Sequence, residues 1–285
     1  MLTRNIATTL EMIKFQHTVF ALPFALMGAM LASGGIPAGR QLGWILVAMV
    51  GARSAAMAFN RIVDVQYDRL NPRTAIRALP AGVLSIQFAA LFTIVTSGLF
   101  VVAAWQLNPL CFYLSFPVLA ILLAYSYSKR FTAWCHVILG FAIGLAPLGA
   151  WIALRGEFAV APILLGSAVM LWIAGFDIIY ACQDVDFDRK AGLFSLPASW
   201  GIGKALVVSA LFHLATVGLL LAASYRSGLT WVSYLGIAIV AGILCYEHAI
   251  VKPGDLSRVN VAFFNLNGYV SVLLFFAVAA DILWR

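Results

Sequence analysis

Apolar runs of about 20 residues recur along the whole sequence, and each is long enough to cross a hydrocarbon core of roughly 30 Å. Lipid offers no water to the backbone. A spanning segment must therefore satisfy its own N–H and C=O groups, which a run of this kind does as a helix. Nine spans are expected, at about 17–35, 41–63, 86–105, 108–126, 134–153, 161–181, 203–223, 230–249 and 262–283. Only 10% of residues are charged and 63% are hydrophobic, whereas soluble domains carry about a quarter charged residues. A soluble globular fold is excluded. An all-α, multi-spanning membrane protein with no soluble module is expected. The first run follows Arg4 and Lys14, but it is long and no A-x-A-like cleavage site follows it, so it is expected to remain as a span.

Lys and Arg then set the orientation. With nine spans, the N-terminus and the loops after spans two, four, six and eight share one side. That side holds thirteen Lys and Arg residues; the other holds four, Arg40, Arg155, Arg226 and Arg285. The N-terminus and the richer loops are expected to be cytoplasmic. The net charge of +7 follows mostly from this bias and calls for no nucleic acid. Cys111, Cys135, Cys182 and Cys245 form no C-x-x-C pair, so neither zinc nor a redox couple is suggested. His213 and His248 read as structural or interfacial residues. Lys14 and His17 share a helical face and read as an interfacial lysine and a packed histidine.

Two cytoplasmic connections, about 64–85 and 182–203, are longer than the rest, and they resemble each other. Asn60-Arg-Ile-Val-Asp64-Val-Gln-Tyr-Asp68 aligns with Tyr180-Ala-Cys-Gln-Asp184-Val-Asp-Phe-Asp188, 120 residues later. Each stretch ends a span, and the two spans lie four apart. Leu79-Pro80 and Leu196-Pro197 follow at nearly equal distances. We expect one membrane domain over residues 1–285, made of two four-helix pseudo-repeats and a ninth helix. Because four is even, the repeats share an orientation and both motifs reach the same membrane face.

Six of the eleven acidic residues fall in these regions or at the end of the span that leads into one: Asp64, Asp68, Asp177, Asp184, Asp186 and Asp188. Acids at the bilayer are costly and usually functional. A D-x-x-x-D spacing sets two carboxylates one helical turn apart on one face. Two like charges so close need a cation, and magnesium typically joins one or two carboxylates to substrate phosphates. An ordinary salt-bridged helix end would explain one such pair; two copies in a repeat, where acids are otherwise rare, favour metal. Asp186 points elsewhere on a helix and is left out of the metal set.

Arg53, Asn60 and Asp64 lie seven and four residues apart, on one face. A mid-span arginine costs about 2.5–3.5 kcal/mol on insertion scales. Either a substrate carboxylate or an ion pair with a buried acid such as Asp177 would offset this. Asp177 and Asp184 are also seven apart, with Tyr180 near that face. Guanidinium groups bind phosphate bidentately and lysine offers a point charge. Arg73 and Arg77, close to the acids, read as phosphate ligands, whereas Arg130 fits the positive-inside rule.

The chain resembles the UbiA superfamily of intramembrane aromatic prenyltransferases along essentially its whole length. The resemblance is carried by Asn60-Arg-x-x-Asp64-x-x-x-Asp68-x-x-Asn71-x-Arg73-Thr-x-x-Arg77, by Tyr125-Ser-Tyr-Ser-Lys129-Arg130, and by Asp177-x-x-Tyr180-x-x-x-Asp184-x-x-x-Asp188. Ser195-Leu-Pro-Ala-Ser-Trp-Gly201 also fits. Arg61 stands where several relatives have aspartate, so position 61 is not taken as a ligand. Asn71-Pro-Arg-Thr and Asp255-Leu-Ser-Arg-Val-Asn260 look most like the bacterial quinone-pathway branch, labelled 4-hydroxybenzoate polyprenyltransferase-like.

The resemblance implies nine helices around a central cavity in the bacterial plasma membrane, with active-site loops on the cytoplasmic side. It implies magnesium, an isoprenyl diphosphate and an aromatic acid acceptor, 4-hydroxybenzoate or a dihydroxynaphthoate. Carried over by position, Asn60, Asp64, Asp68, Asp184 and Asp188 hold metal and diphosphate. Arg73, Arg77, Lys129 and Tyr125 assist, and Arg53 faces the acceptor carboxylate. Asp177 and Tyr180 join the substrate-binding set, and Asp184 or Asp177 is the candidate base for the ring proton. No obligate protein partner is implied. A secondary transporter is the competing class. Its sites tend to lie at mid-bilayer in broken helices, whereas most acids here sit at helix ends. A non-catalytic quinone-binding protein leaves the paired acids unexplained.

Overall fold

The computed structural model describes residues 2–14 and 18–284. Its regular structure is helical, with eight helices long and apolar enough to span a membrane and one shorter apolar helix. In chain order the helices are α1 (Leu2–Met12), α2 (Thr18–Ser33), α3 (Gly39–Val63), α4 (Val65–Leu70), α5 (Ile86–Leu107), α6 (Pro109–Ala124) and α7 (Cys135–Arg155). There follow α8 (Val160–Ala181), α9 (Val185–Lys190), α10 (Leu196–Trp200), α11 (Ile202–Arg226), α12 (Trp231–Ile250) and α13 (Asn267–Trp284). The nine expected spans appear at their expected places, the first shortened to α2. The two long connections, expected as loops, contain the short helices α4, α9 and α10. His17 and Arg285 lie outside the described residues.

Local chemistry sets several boundaries. Ser85 caps α5 by accepting from the Phe88 N–H at 3.1 Å, and Asn108 caps α6 by accepting from the Cys111 N–H at 2.9 Å. Each supplies an acceptor to first-turn donors that lack a helical partner. Pro109 follows its cap at the one place where a missing N–H costs nothing.

The chain forms two compact units, Met1–Thr18 with Gly39–Tyr127, and Val19–Ala38 with Ser128–Arg285. In the first, α3 lies so close to α5 that a Cβ on Gly51 would stand 2.9 Å from the Thr96 carbonyl oxygen. The first helix was not expected from the sequence, because it is too polar for a span. Met12 and Ile13, at its end, are buried with Ala58, Val65, Leu79 and Ala89. Two arginines of α3 reach carbonyls there: Arg61 Nε donates to Met12 O at 3.2 Å and Arg53 Nη2 to Lys14 O at 3.0 Å. A helix C-terminus carries unpaired carbonyls and partial negative charge, so both contacts are favourable.

In the second unit Phe20, Phe24, Trp172, Phe176 and Phe263 form an aromatic core. Gly140 and Gly144 of α7 face the backbone of Met170 and Gly166 on α8. Small residues four apart let membrane helices approach closely, where dispersion rather than water expulsion drives association. A polar clasp joins α8, α12 and the start of α13. Asn267, fully buried, accepts from Trp172 Nε1 at 2.7 Å and donates to Glu247 Oε1 and Ala262 O at 3.0 and 2.9 Å. The residues before it, Val261–Leu266, adopt a π-helical turn.

Candidate active site

The two aspartate motifs are built alike. The helix α3 ends at Val63, and Asp64 takes φ −92°, ψ 2° before the six-residue α4 begins. In the second motif, α8 passes through a 3-10 turn, Cys182–Asp184, and Asp184 takes φ −104°, ψ 7° before the six-residue α9. In the first motif the break keeps the turn: Asp68 N still donates to Asp64 O at 2.8 Å. The second aspartate of each motif therefore follows the first by about one turn, as the spacing predicted.

In the first unit, Asn60 Nδ2 donates to Asp64 Oδ2 at 2.9 Å. Asp68 is buried and receives both contacts from Arg77 Nη1, at 2.7 and 2.8 Å, with Arg61 Nη1 at 4.0 Å. The segment Asn71-Pro-Arg-Thr makes this possible. Asn71 Oδ1 accepts from Arg73 N at 3.0 Å and Thr74 Oγ1 donates to Asp68 O at 3.1 Å, folding the chain back so that Arg77 reaches the carboxylate. Arg73 is exposed. Tyr125 opens the 3-10 turn Tyr125–Arg130, within electrostatic range of Arg61, Asp64 and Arg53. Arg53 Nε is buried without a hydrogen-bond partner. Lys14 is held below the usual lysine pKa by burial first and by Arg61 next, with Arg77 adding to the effect. The cluster is thus rich in positive charge as well as in carboxylate.

In the second unit Asp188 is fully buried. Lys129 Nζ lies 2.7 Å from its Oδ1, and Ser195 Oγ donates to its Oδ2 at 2.9 Å. Ser195 also caps α10, accepting from Ala198 N at 3.3 Å, while Arg189 Nε donates to Ala198 O at 2.9 Å. Phe194 N donates to Lys129 O at 2.7 Å. Asp184 is buried. Asp177 Oδ2 lies 2.7 Å from His136 Nδ1. The Tyr180 ring stacks on Phe263 with centroids 4.1 Å apart. Asp186 is exposed and lines an open cleft of about 580 Å³ with Gln183, Arg189 and Leu256, away from the roles expected of its neighbours.

Three residues of the site received no role from the sequence, and one of them, His136, was not singled out at all. Arg61 was set aside as a non-ligand, yet it joins α1 to Asp68. Ser195 had a signal, as an N-cap residue followed by Leu-Pro at a helix start. His136 had none, since its acidic partner stands 41 positions away.

The donor set suits a hard cation. Among the described residues no three His, Cys, Asp or Glu side chains converge on one point. Magnesium needs no such cage, because it keeps waters and completes its shell with phosphate oxygens. Asp64 and Asp184, each at a helix break and beside a cation-paired aspartate, fit that arrangement.

Comparison with known proteins follows the same line. Residues 21–269 match the UbiA prenyltransferase family. A 4-hydroxybenzoate octaprenyltransferase of Tolumonas auensis is 33% identical over 245 residues, covering 86% of this chain and 85% of its own. The apo structure of a UbiA homologue from Aeropyrum pernix K1 superposes with a TM-score of 0.85 at 37% identity, over 93% of this chain and 98% of that one. A homologue from Archaeoglobus fulgidus bound to DMAPP and Mg2+, 20% identical, shares the fold with a TM-score of 0.64 over 94% of this chain and 99% of that one. The chain belongs to the UbiA prenyltransferase family.

Proposed function

We propose that this prenyltransferase moves a polyprenyl group from an isoprenyl diphosphate to a ring carbon of an aromatic acid, 4-hydroxybenzoate or a dihydroxynaphthoate, in quinone biosynthesis. The observation that carries the proposal is the pair of equivalent aspartate motifs, each breaking its helix at the first aspartate and pairing the second with a cation. This local equivalence also supports an origin in duplicated four-helix units. Membership of a prenyltransferase family favours catalysis over transport. The relatives named 4-hydroxybenzoate octaprenyltransferase support an aromatic acceptor, and the bound DMAPP and Mg2+ of the Archaeoglobus homologue support the donor and the metal.

In this reading Asp64, Asp68, Asp184 and Asp188, with Asn60, hold magnesium. Magnesium, when bound, neutralises the diphosphate and makes it a better leaving group. Arg73, Arg77 and Lys129 add fixed positive charge where negative charge grows as the allylic C–O bond breaks. Their charge is partly shared with Asp68 and Asp188, which keeps them oriented in the absence of substrate. Apolar surroundings keep water from the allylic cation, and the rings of Tyr125 and Tyr180 stabilise it by their faces. Arg53, with its buried Nε unpartnered, takes the acceptor carboxylate. The ring carbon beside the phenol hydroxyl then forms the new C–C bond, and Asp177 takes the proton that leaves that carbon. The positive-inside bias supports motifs on the cytoplasmic side of a bacterial plasma membrane.

The test is prenylation by purified protein given a panel of hydroxybenzoates and hydroxynaphthoates, with products read by mass spectrometry. Asp64→Ala and Asp184→Ala are each expected to abolish magnesium-dependent product formation. Wild-type turnover in either variant would sink the assignment.

A further inference from the structure

His136 takes no part in the scheme above, yet it contacts Asp177, which does. It sits on the first turn of α7 with 2% of its surface exposed, while the Asp177 side chain keeps 25%. Both ring nitrogens are engaged. Nε2 stands 3.3 Å from the backbone N–H of Leu196, the first residue of α10. That N–H can only donate, so Nε2 must be the acceptor and carries no hydrogen. The ring hydrogen is therefore on Nδ1, which donates to Asp177 Oδ2 at 2.7 Å. The backbone of α10 thus dictates the tautomer, and the tautomer dictates the donor that Asp177 meets.

The same short segment is tied to the second aspartate motif. Ser195, one residue before Leu196, donates to Asp188, and Phe194 donates through its N–H to the Lys129 carbonyl. His136 consequently couples the position of Asp177 to the segment that also orients Asp188 and Lys129. A packed histidine with no catalytic consequence would need only to satisfy its own nitrogens. This one instead occupies one oxygen of a partly exposed carboxylate and leaves the other to a different partner.

We infer that His136 is a positioning residue for ring-proton removal: through Nδ1–H it fixes the Asp177 carboxylate so that Oδ1 receives the proton. The inference rests on the aromatic-acceptor reading. After the C–C bond forms, the ring C–H bond breaks, its electron pair returns to the ring and the proton goes to Asp177 Oδ1. Diphosphate has already departed with the pair of the allylic C–O bond. Asp177 then yields the proton to water. His136 donates the same Nδ1 hydrogen bond before and after.

The experiment compares turnover of a protonated acceptor with one deuterated beside its hydroxyl, in purified protein at saturating diphosphate. In the wild type, C–H cleavage follows the committing step and the isotope effect is expected to be absent. His136→Phe keeps a ring but loses both nitrogens. Its kcat is expected to fall about 10- to 100-fold, as when a partner that orients a reactive ligand is lost, with KM for the diphosphate unchanged and a normal isotope effect now visible. Asp177→Asn is expected to show the isotope effect as well. His136→Asn returns a donor near the Nδ1 position and is expected to recover part of kcat and shrink the effect. Wild-type kcat in His136→Phe overturns the inference. So does a fall in kcat with no isotope effect and no recovery in His136→Asn, since that is the signature of a structural role. Those results leave the aromatic-acceptor reading intact. A wild type that makes no product from any aromatic acid overturns that reading and this inference together.

Discussion

Lys129→Met offers a quantitative probe of the second motif. The substitution keeps most of the aliphatic stem and removes the ammonium that lies 2.7 Å from Asp188. Asp188 is fully buried, and its Oδ2 also accepts from the Ser195 hydroxyl. Removing one partner of a buried ion pair costs about 3–5 kcal/mol, because the other charge is left uncompensated. Lys129 keeps 35% of its side chain exposed, and water screens that end of the pair, so the cost falls below that range, to about 2–3 kcal/mol. Unfolding a chain of 285 residues releases an entropy of about 0.6 kcal/mol/K, so the melting temperature in detergent should fall by roughly 3–5 °C. The assay is a double-mutant cycle with Asp188→Asn, which keeps shape and one acceptor oxygen but removes the charge. In that background Lys129→Met should cost less than about 1 kcal/mol, leaving a coupling energy of about 2 kcal/mol. Additive effects of the two substitutions would refute a buried, directly coupled pair.

Two further substitutions extend the test. Arg53→Ala is expected to raise KM for an acidic acceptor while leaving KM for the diphosphate unchanged; an unchanged acceptor KM would reject the carboxylate role. Gly144→Leu drives a side chain into the Gly166 carbonyl of α8, and since overpacking costs about 1–3 kcal/mol or more, it should lower the yield of folded protein and its melting temperature in detergent. A melting temperature equal to the wild type would show that α7 and α8 are not packed at that point.

Much of the fold was legible because a bilayer leaves a chain few choices. Once a run of 20 or so residues is apolar, only a helix satisfies its backbone, and eight of the nine expected spans reappear with ends shifted by a few residues. The first shortened, and α1 went unseen, because its polar composition gives no spanning signal and the burial of Met12 and Ile13 at and just past its end depends on residues of α3, α4 and α5 and on Leu79 between them. The aspartate spacing was legible for a similar reason. Four residues is one helical turn, so carboxylate proximity within each motif is a local property of the sequence.

What remained closed was pairing over distance. The sequence determined that Asp64 and Asp68, and Asp184 and Asp188, would lie about one turn apart at the ends of spans. From the sequence Arg77 reads as a phosphate ligand, with no acid named as its partner. The tertiary structure decided that Arg77 grips Asp68 through the fold of Asn71–Thr74, that Lys129 and Ser195 close on Asp188 from opposite sides along the chain, and that His136 holds Asp177 across 41 residues. Helical periodicity reports which side chains share a face of one helix. Which face meets which is set by packing, here by close glycine approaches and by buried polar groups that must each find a partner. Neither rule can be applied until the helices are brought together.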